Sequence, residues 1–232
     1  TKEAFGVQFV KEDRRYVVFA SKEVILSAGA IQSPQLMMLS GVGPRVHLEK
    51  HKIPVVLDLP GVGENLQDHV ASGGGTYTIT NPVGNETLSI IVPKLLQVDS
   101  IRKFAFEERG PLYAMPACEI MGFVNTKYQN PAEDRPDVQY FLASFADSSD
   151  GGLFGKRASG MSDDYYAEVY EQILFRDAVM ILPLLLRPKS RGKILLKDAN
   201  PQSHPLIYPN YFDHPKDLQI MVKKNLISSH KI

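Results

Sequence analysis

The chain has 232 residues, 44% of them hydrophobic, enough for one large domain or two small ones with a sizeable buried core. Its 26 basic and 26 acidic side chains cancel, which removes any electrostatic reason to expect nucleic acid or an anionic membrane as partner. One cysteine excludes an internal disulfide framework, and no apolar run approaches the roughly eighteen residues of a membrane span.

Residues 5–20 alternate well enough for a β-hairpin turning at Lys11-Glu12-Asp13-Arg14. Val24-Ile25-Leu26 is a short continuous apolar run, the pattern of a strand buried on both faces. Ala28-Gly29-Ala30 follows, too small to be a packing unit. Ser33-Pro34 then opens a helix, Ser33 suiting the N-cap and Pro34 the first helical position, where a missing N–H costs nothing. Leu36, Met37 and Leu39 supply the buried stripe, and Gly41 the left-handed end. Strand, small-residue turn and helix make the phosphate-side arrangement of an α/β nucleotide fold. A second short helix is expected from Pro44 to His51, then a strand at Val55-Val56-Leu57 and a loop from Pro60 to Asn65.

From Asn81 the character changes. Residues 87–96 and 100–108 read as helices, the second stopped by Gly110-Pro111. Cys118, in Pro-Ala-Cys-Glu with no CxxC partner, reads as a buried bystander rather than a nucleophile. Strand patterns follow at 120–125, 138–144, 179–186, 193–197 and 206–208. Strands in series with hairpin spacing predict a mostly antiparallel sheet in a second, α+β domain. Residues 147–162 are polar and Gly-rich, a surface loop. Tyr165, Tyr166 and Tyr170 have helical spacing and read as core or domain-interface packing rather than as a platform for substrate. Leu218, Met221, Val222 and Leu226 mark a last helix. The chain opens in a strand pattern and ends in a helical one without a cap, which reads as an internal stretch of a longer protein.

Three local patterns hint at chemistry and fail on detail. Gly61-Val62-Gly63-Glu64-Asn65-Leu66 begins like a dinucleotide fingerprint but carries leucine where the third glycine belongs. His47 and His51 lie four apart on a helix like zinc ligands, yet Leu48 stands where a metalloprotease needs its glutamate, and Glu49 comes one place late. Asp68 and His69 are neighbours whose side chains diverge, which disfavours a hydrolytic dyad.

The stretch Gly29-Ala30-Ile31-Gln32-Ser33-Pro34-Gln35-Leu36-Met37-Met38-Leu39-Ser40-Gly41-Val42-Gly43 resembles a signature of the glucose-methanol-choline (GMC) oxidoreductases. Pro60-Gly61-Val62-Gly63-Glu64-Asn65-Leu66-Gln67-Asp68-His69 is similar to that family's loop near the flavin. Arg187-Pro188-Lys189-Ser190-Arg191-Gly192 and Tyr208-Pro209-Asn210-Tyr211-Phe212 are similar to its later landmarks. Gly122-Phe123-Val124-Asn125-Thr126-Lys127-Tyr128, with Leu184-Leu185-Leu186-Arg187-Pro188, is similar to the insect glucose dehydrogenase branch.

The resemblance implies an α/β FAD-binding domain, partial here over residues 1–75. It implies a substrate-binding domain with a mostly antiparallel sheet over 76–215, and a helix at 216–232 returning towards the FAD domain. FAD is the implied cofactor, and an alcohol or sugar the implied CH–OH donor. Hydride passes to flavin N5, a histidine takes the hydroxyl proton, and a quinone-like acceptor or oxygen receives the electrons. Ala28, Gly29, Asn65, Asp68 and His69 are the implied cofactor-side residues. The family's Gly-x-Gly-x-x-Gly fingerprint, and its catalytic histidine with a His or Asn partner, match nothing in these residues. His230, in Ser-Ser-His-Lys-Ile, lacks that motif's surroundings, so no catalytic residue is assigned and this stretch alone is expected to be inactive. The insect branch carries secretion as an expectation, although no residue here fixes a compartment. Lyase chemistry on the same flavin fold, and a non-catalytic binding protein retaining that fold, are the alternatives.

Overall fold

The structure, a computed structural model, describes residues 2–72, 75–79, 89–113 and 118–228, with side chains described as far as Val222 in the last helix. In chain order the elements are β1 (Gly6–Lys11), β2 (Arg14–Phe19), α1 (Gly29–Leu39), β3 (Val42–Gly43), α2 (Arg45–Lys50), β4 (Leu57–Asp58), β5 (Val70–Ala71) and β6 (Gly75–Thr78). Then come α3 (Val92–Leu95), α4 (Val98–Glu107), β7 (Cys118–Val124), β8 (Val138–Ala143), α5 (Gly155–Ala158) and α6 (Asp163–Val169). The chain closes with β9 (Ala178–Leu185), β10 (Lys193–Leu195), β11 (Leu206–Tyr208) and α7 (Pro215–Ser228). They form two compact units: Thr1–Asp68 with Lys189–His214, and His69–Pro188 with Pro215–Ile232. The first is α/β and the second α+β.

In the first unit β1 and β2 pair antiparallel from Gly6↔Phe19 to Lys11↔Arg14. Glu12 and Asp13 both turn at positive φ, 51° and 59°, the two-residue turn whose twist matches the strands. L-side chains adopt that region reluctantly, and Asn-Gly is its preferred pair. Changing Glu12→Asn together with Asp13→Gly is therefore expected to stabilise the hairpin by about 1 kcal/mol, read as slower hydrogen exchange of its amides. β3 and β4 pair in parallel across α2, at Val42↔Leu57 and Gly43↔Asp58. The core beneath them is Met38, Leu48, Ile53, Val62, Ile194 and Leu196.

Local pattern misplaces several features of this unit. Residues 24–26 form no strand, and Ile25 is 79% exposed, because no strand among the described residues lies beside the run to bury it. Helix α1 starts at Gly29, one turn before the expected Ser33-Pro34, with Pro34 inside it. Ser33 still serves the helix end, since its Oγ accepts the Ala28 N–H at 3.1 Å. The helix buries Gln35 and Met38 and leaves Leu36 outside. The strand expected at 55–57 lies at Leu57–Asp58, where β3 sets the register.

The second unit is built on a five-stranded antiparallel sheet in the order β5-β9-β8-β7, with β6 beside β5 on the same edge of β9. Pro183 sits in this central strand without loss. Its carbonyl accepts from Ser72 N–H, so its donor-less nitrogen points to that same edge and away from β8, whose ladder stays complete. β7 and β8 are clamped by Asp137, 1% exposed, which accepts from Thr126 N–H at 2.8 Å and Thr126 Oγ1 at 2.5 Å.

Here too the structure corrects the reading. Cys118 is exposed, because β7 is the sheet's edge. The helix expected over 87–96 is confined to α3, residues 80–88 lie outside the described residues, and Ile90 donates instead to Ser144 O. β10 and β11 pair with each other rather than with the sheet. By compactness, residues 189–214 go with the first unit and α7 with the second. Helix α7 packs on β9 and buries Asp217, Ile220 and Met221, leaving Leu218 and Val222 out. Leu226 and His230 lie outside the described side chains.

The supposed surface loop at 147–162 is partly core. Ser148 and Ser149 are wholly buried, and Asp150 accepts N–H bonds from Gly152, Phe154 and Gly155. Tyr166 and Tyr170 are buried and stacked, centroids 5.4 Å apart, whereas Tyr165 is half exposed. Tyr166 donates to Asp147 O and Tyr170 to Asp147 Oδ2. Burial first, then the neighbouring Asp150 charge, raises the Asp147 carboxyl above its ordinary range, while bonds from Tyr170 and Ser159 oppose the rise.

Candidate functional site

A groove of 740 Å³ opens in the first unit between the start of α1, the loop of residues 59–67 and β10. Ala30, Ser33 and Met37 of α1 form one side, Leu59 and the loop from Gly61 to Gln67 another, and Ile194 the floor. The volume lies within the range of about 300–1,000 Å³ usual for small-molecule sites. Gly29 stands at φ +86°, and a Cβ there, like one on Gly61, would meet nothing within 4 Å. Main chain is therefore bare at Gly61 in the groove wall and at Gly29, one residue before the lining Ala30. The first turn of α1 carries no acidic residue, so its free N–H groups favour a negative group brought from outside. Glu64 is the one carboxylate among the groove's lining residues.

The loop wall is fixed by main chain. Gly192 donates to Leu66 O at 2.8 Å and accepts from Leu66 N–H at 2.9 Å, while Ile194 donates to Gly63 O at 2.7 Å. Leu196, next on the same edge, donates to His47 Nε2 at 2.9 Å. This gives the histidine pair a structural task in place of the zinc-like one weighed above. Gly63, at φ +84°, lies so close to β10 that a Cβ would collide with Ile194 O. The segments that carry the sequence signatures meet here. Gly63 and Leu66 of the loop are zipped to Ile194 and Gly192, Asn210 Nδ2 donates to Arg191 O, and His214 N–H donates to Ser190 Oγ.

Of the expected cofactor-side residues, Asn65 lines the groove, in the left-handed region at φ 61°. Ala28 and Gly29 form the exposed bend immediately before Ala30. Asp68 is exposed and accepts from Tyr211 OH at 2.6 Å; that bond, ahead of burial and the Asp68 charge, raises the phenol above its ordinary range. His69 is exposed and is the first residue of the second unit. Sequence reasoning missed Met37, Leu59, Ile194 and the Tyr211 partner of Asp68. Met37 and Tyr211 were signalled only by membership of motifs whose meeting in space no local pattern encodes, and Leu59 and Ile194 lie just outside those motifs. Among the described residues no group of three His, Cys, Asp or Glu is placed to hold a metal ion, and no helix is long and apolar enough to cross a membrane.

Residues 1–71 match the family described as GMC oxidoreductase. The chain is 36% identical over 230 residues to an alcohol dehydrogenase (acceptor) of Pseudomonas putida, covering 95% of this chain and 36% of that protein. It is also 36% identical over 220 residues to the mitochondrial choline dehydrogenase of Homo sapiens, covering 93% and 32%. A formate oxidase from Aspergillus oryzae, solved in a study of FAD modification, shares the fold at TM-score 0.75 with 22% identity, over 98% of this chain and 40% of that one. The chain thus spans about a third of the length of these curated relatives.

Proposed function

We propose that this chain, whose residues 1–71 match the GMC oxidoreductase family, is the groove-bearing part of an FAD-dependent oxidoreductase of that family acting on CH–OH donors. The observation that carries the reading is the groove itself, with the main chain bare at Gly61 in its wall and at Gly29 just before the lining Ala30. Those residues fit a flavin cofactor: glycine backbone allows close approach, the α1 N-terminus favours negative charge, and the apolar Met37, Leu59 and Ile194 suit a planar ring. When bound, FAD supplies the redox chemistry, receiving the hydride of the donor carbinol. Ala28, Gly29 and Asn65 border the cofactor, Asp68 holds the loop end through Tyr211, and His69 follows it on the cofactor side. Nothing among the described residues is assigned the donor's proton.

The names of the relatives, an alcohol dehydrogenase and a choline dehydrogenase, support a small alcohol as donor class. The stretches 122–128 and 184–188 support the insect glucose dehydrogenase branch, hence a sugar, with a quinone-like compound or oxygen as electron acceptor. On this reading the first compact unit is part of the FAD-binding domain and the second most of the substrate domain.

The full-length protein is expected to be yellow and to bleach anaerobically with one or more members of a panel of alcohols and sugars. Yellow protein bleached by none would favour lyase chemistry, and colourless protein would favour a non-catalytic relative. Gly29→Val puts a branched side chain at a left-handed position one residue before the lining Ala30, and is expected to weaken FAD retention at least about tenfold. Unchanged flavin content in that variant would remove the groove from the assignment.

A further inference from the structure

We infer that His47 is a positioning residue for the flavin groove, its neutral imidazole standing in for a main-chain carbonyl as the last rung of the ladder that holds the groove's loop wall. The inference rests on the flavin reading above and extends it to a residue that does not line the groove.

β10 pairs with β11 on one edge, Ile194↔Ile207 and Leu195↔Leu206. Its other edge donates at alternate residues, as a strand must. Gly192 donates to Leu66 O, Ile194 to Gly63 O, and Leu196 to His47 Nε2, at 2.8, 2.7 and 2.9 Å. The first two rungs are carbonyls of the groove loop, and the third is the α2 imidazole. Ile194 and Leu196 are 1% and 2% exposed, so the Leu196 N–H has no ready access to water and depends on its acceptor. An imidazole accepts only while that nitrogen is unprotonated. Protonation converts the acceptor into a donor facing a donor, and the rung is lost two residues from the Ile194–Gly63 bond that sets the wall.

The surroundings keep His47 neutral. Burial, followed by the His51 charge and then Lys50, lowers its pKa below the ordinary 6.5. The His51 ring lies edge-on with centroids 4.8 Å apart, and Asp198, just beyond β10, acts on His51 electrostatically. The sign follows from this set. Above pH 6.5 the imidazole is neutral in both folded and unfolded chains and the rung is intact. Below 6.5 the unfolded chain binds the proton first, so the folded wall loses stability until His47 itself protonates.

The test compares wild type, His47→Gln and His47→Leu in the full-length protein. Glutamine keeps an oxygen acceptor that does not titrate, whereas leucine removes the acceptor. Wild type is expected to release FAD about fivefold more readily at pH 5.5 than at pH 7.5, the equivalent of one hydrogen bond. His47→Gln is expected to hold it equally at both, and His47→Leu to hold it weakly at both. Hydrogen exchange at the Ile194 and Leu196 amides, compared between wild type and the Gln variant at each pH, reads the same rung without the cofactor. Faster exchange in wild type at pH 5.5 alone supports the assignment. Parallel behaviour of wild type and the Gln variant in exchange overturns it. Absence of FAD at pH 7.5 would instead overturn the flavin reading, leaving exchange to decide the role of His47.

Discussion

Gly63→Ala is expected to destabilise the first unit by about 3–4 kcal/mol, a loss that few single methyl additions cause. Gly63 stands at φ +84°, where a Cβ costs about 1–2 kcal/mol from backbone sterics alone. The added methyl would also strike the Ile194 carbonyl oxygen. Relief requires the loop to move off β10, which stretches the 2.7 Å Ile194–Gly63 bond and loosens the core cluster to which Val62 and Ile194 both belong. One lost hydrogen bond adds about 1 kcal/mol and the disturbed packing a similar amount. Gly61, two residues earlier, is the control. A Cβ there meets nothing within 4 Å, so Gly61→Ala should leave the unfolding free energy read from urea within about 0.5 kcal/mol of wild type. Comparable losses at the two glycines would show that the loop is not held by β10 as described.

The contrast between these glycines also marks what the sequence can express. Both sit in one motif and look alike in it. Only the distant strand β10 separates them, and nothing local places residue 194 against residue 63. Features set by neighbours in the chain were legible. The β1–β2 hairpin, α2, the end of α4 at Gly110-Pro111 and the strands of the antiparallel sheet follow from alternation and turn residues within a dozen positions. The groove's membership was legible as motifs, because small residues in series and a long signature survive in one dimension. Its geometry was not. Residues 24–26 look like a buried strand because an apolar run records what a strand would need, without recording whether a partner lies beside it. Ser33-Pro34 looks like a helix start because Ser33 does cap, but it caps an N–H five residues back. In α7 the helical period is present, yet which stripe is buried depends on the packing against β9, and that packing selects Asp217, Ile220 and Met221.

The polar run at 147–162 misleads most, and the same chemistry makes it the second sensitive point. Asp150→Ala is expected to cost the second unit about 3–4 kcal/mol. The Asp150 carboxylate is 2% exposed, and its oxygens accept from Gly152 at 2.8 Å, Phe154 at 2.8 Å and Gly155 at 2.7 Å. Bonds to a charged acceptor are each worth about 1.5–3 kcal/mol, and truncation leaves three donors facing an apolar gap that water fills only in part. Gly151 and Gly152, at φ +68° and +79°, wrap the main chain around that acceptor, so the turn loses the reason for its shape. Asn is a poor substitute. Its oxygen can serve Phe154 and Gly155, but its amide then meets the Gly152 donor, and Asp150→Asn should lose about 2–3 kcal/mol. Asp163, nearby in the chain, pairs with Lys156 from an exposed position, and Asp163→Asn should leave the urea midpoint unchanged because solvent screens such pairs. If the two aspartates proved equally dispensable, the loop would be held by its glycines and by Tyr166 packing rather than by the buried carboxylate. If Asp150→Asn matched wild type, one neutral acceptor would suffice where the structure places a charge.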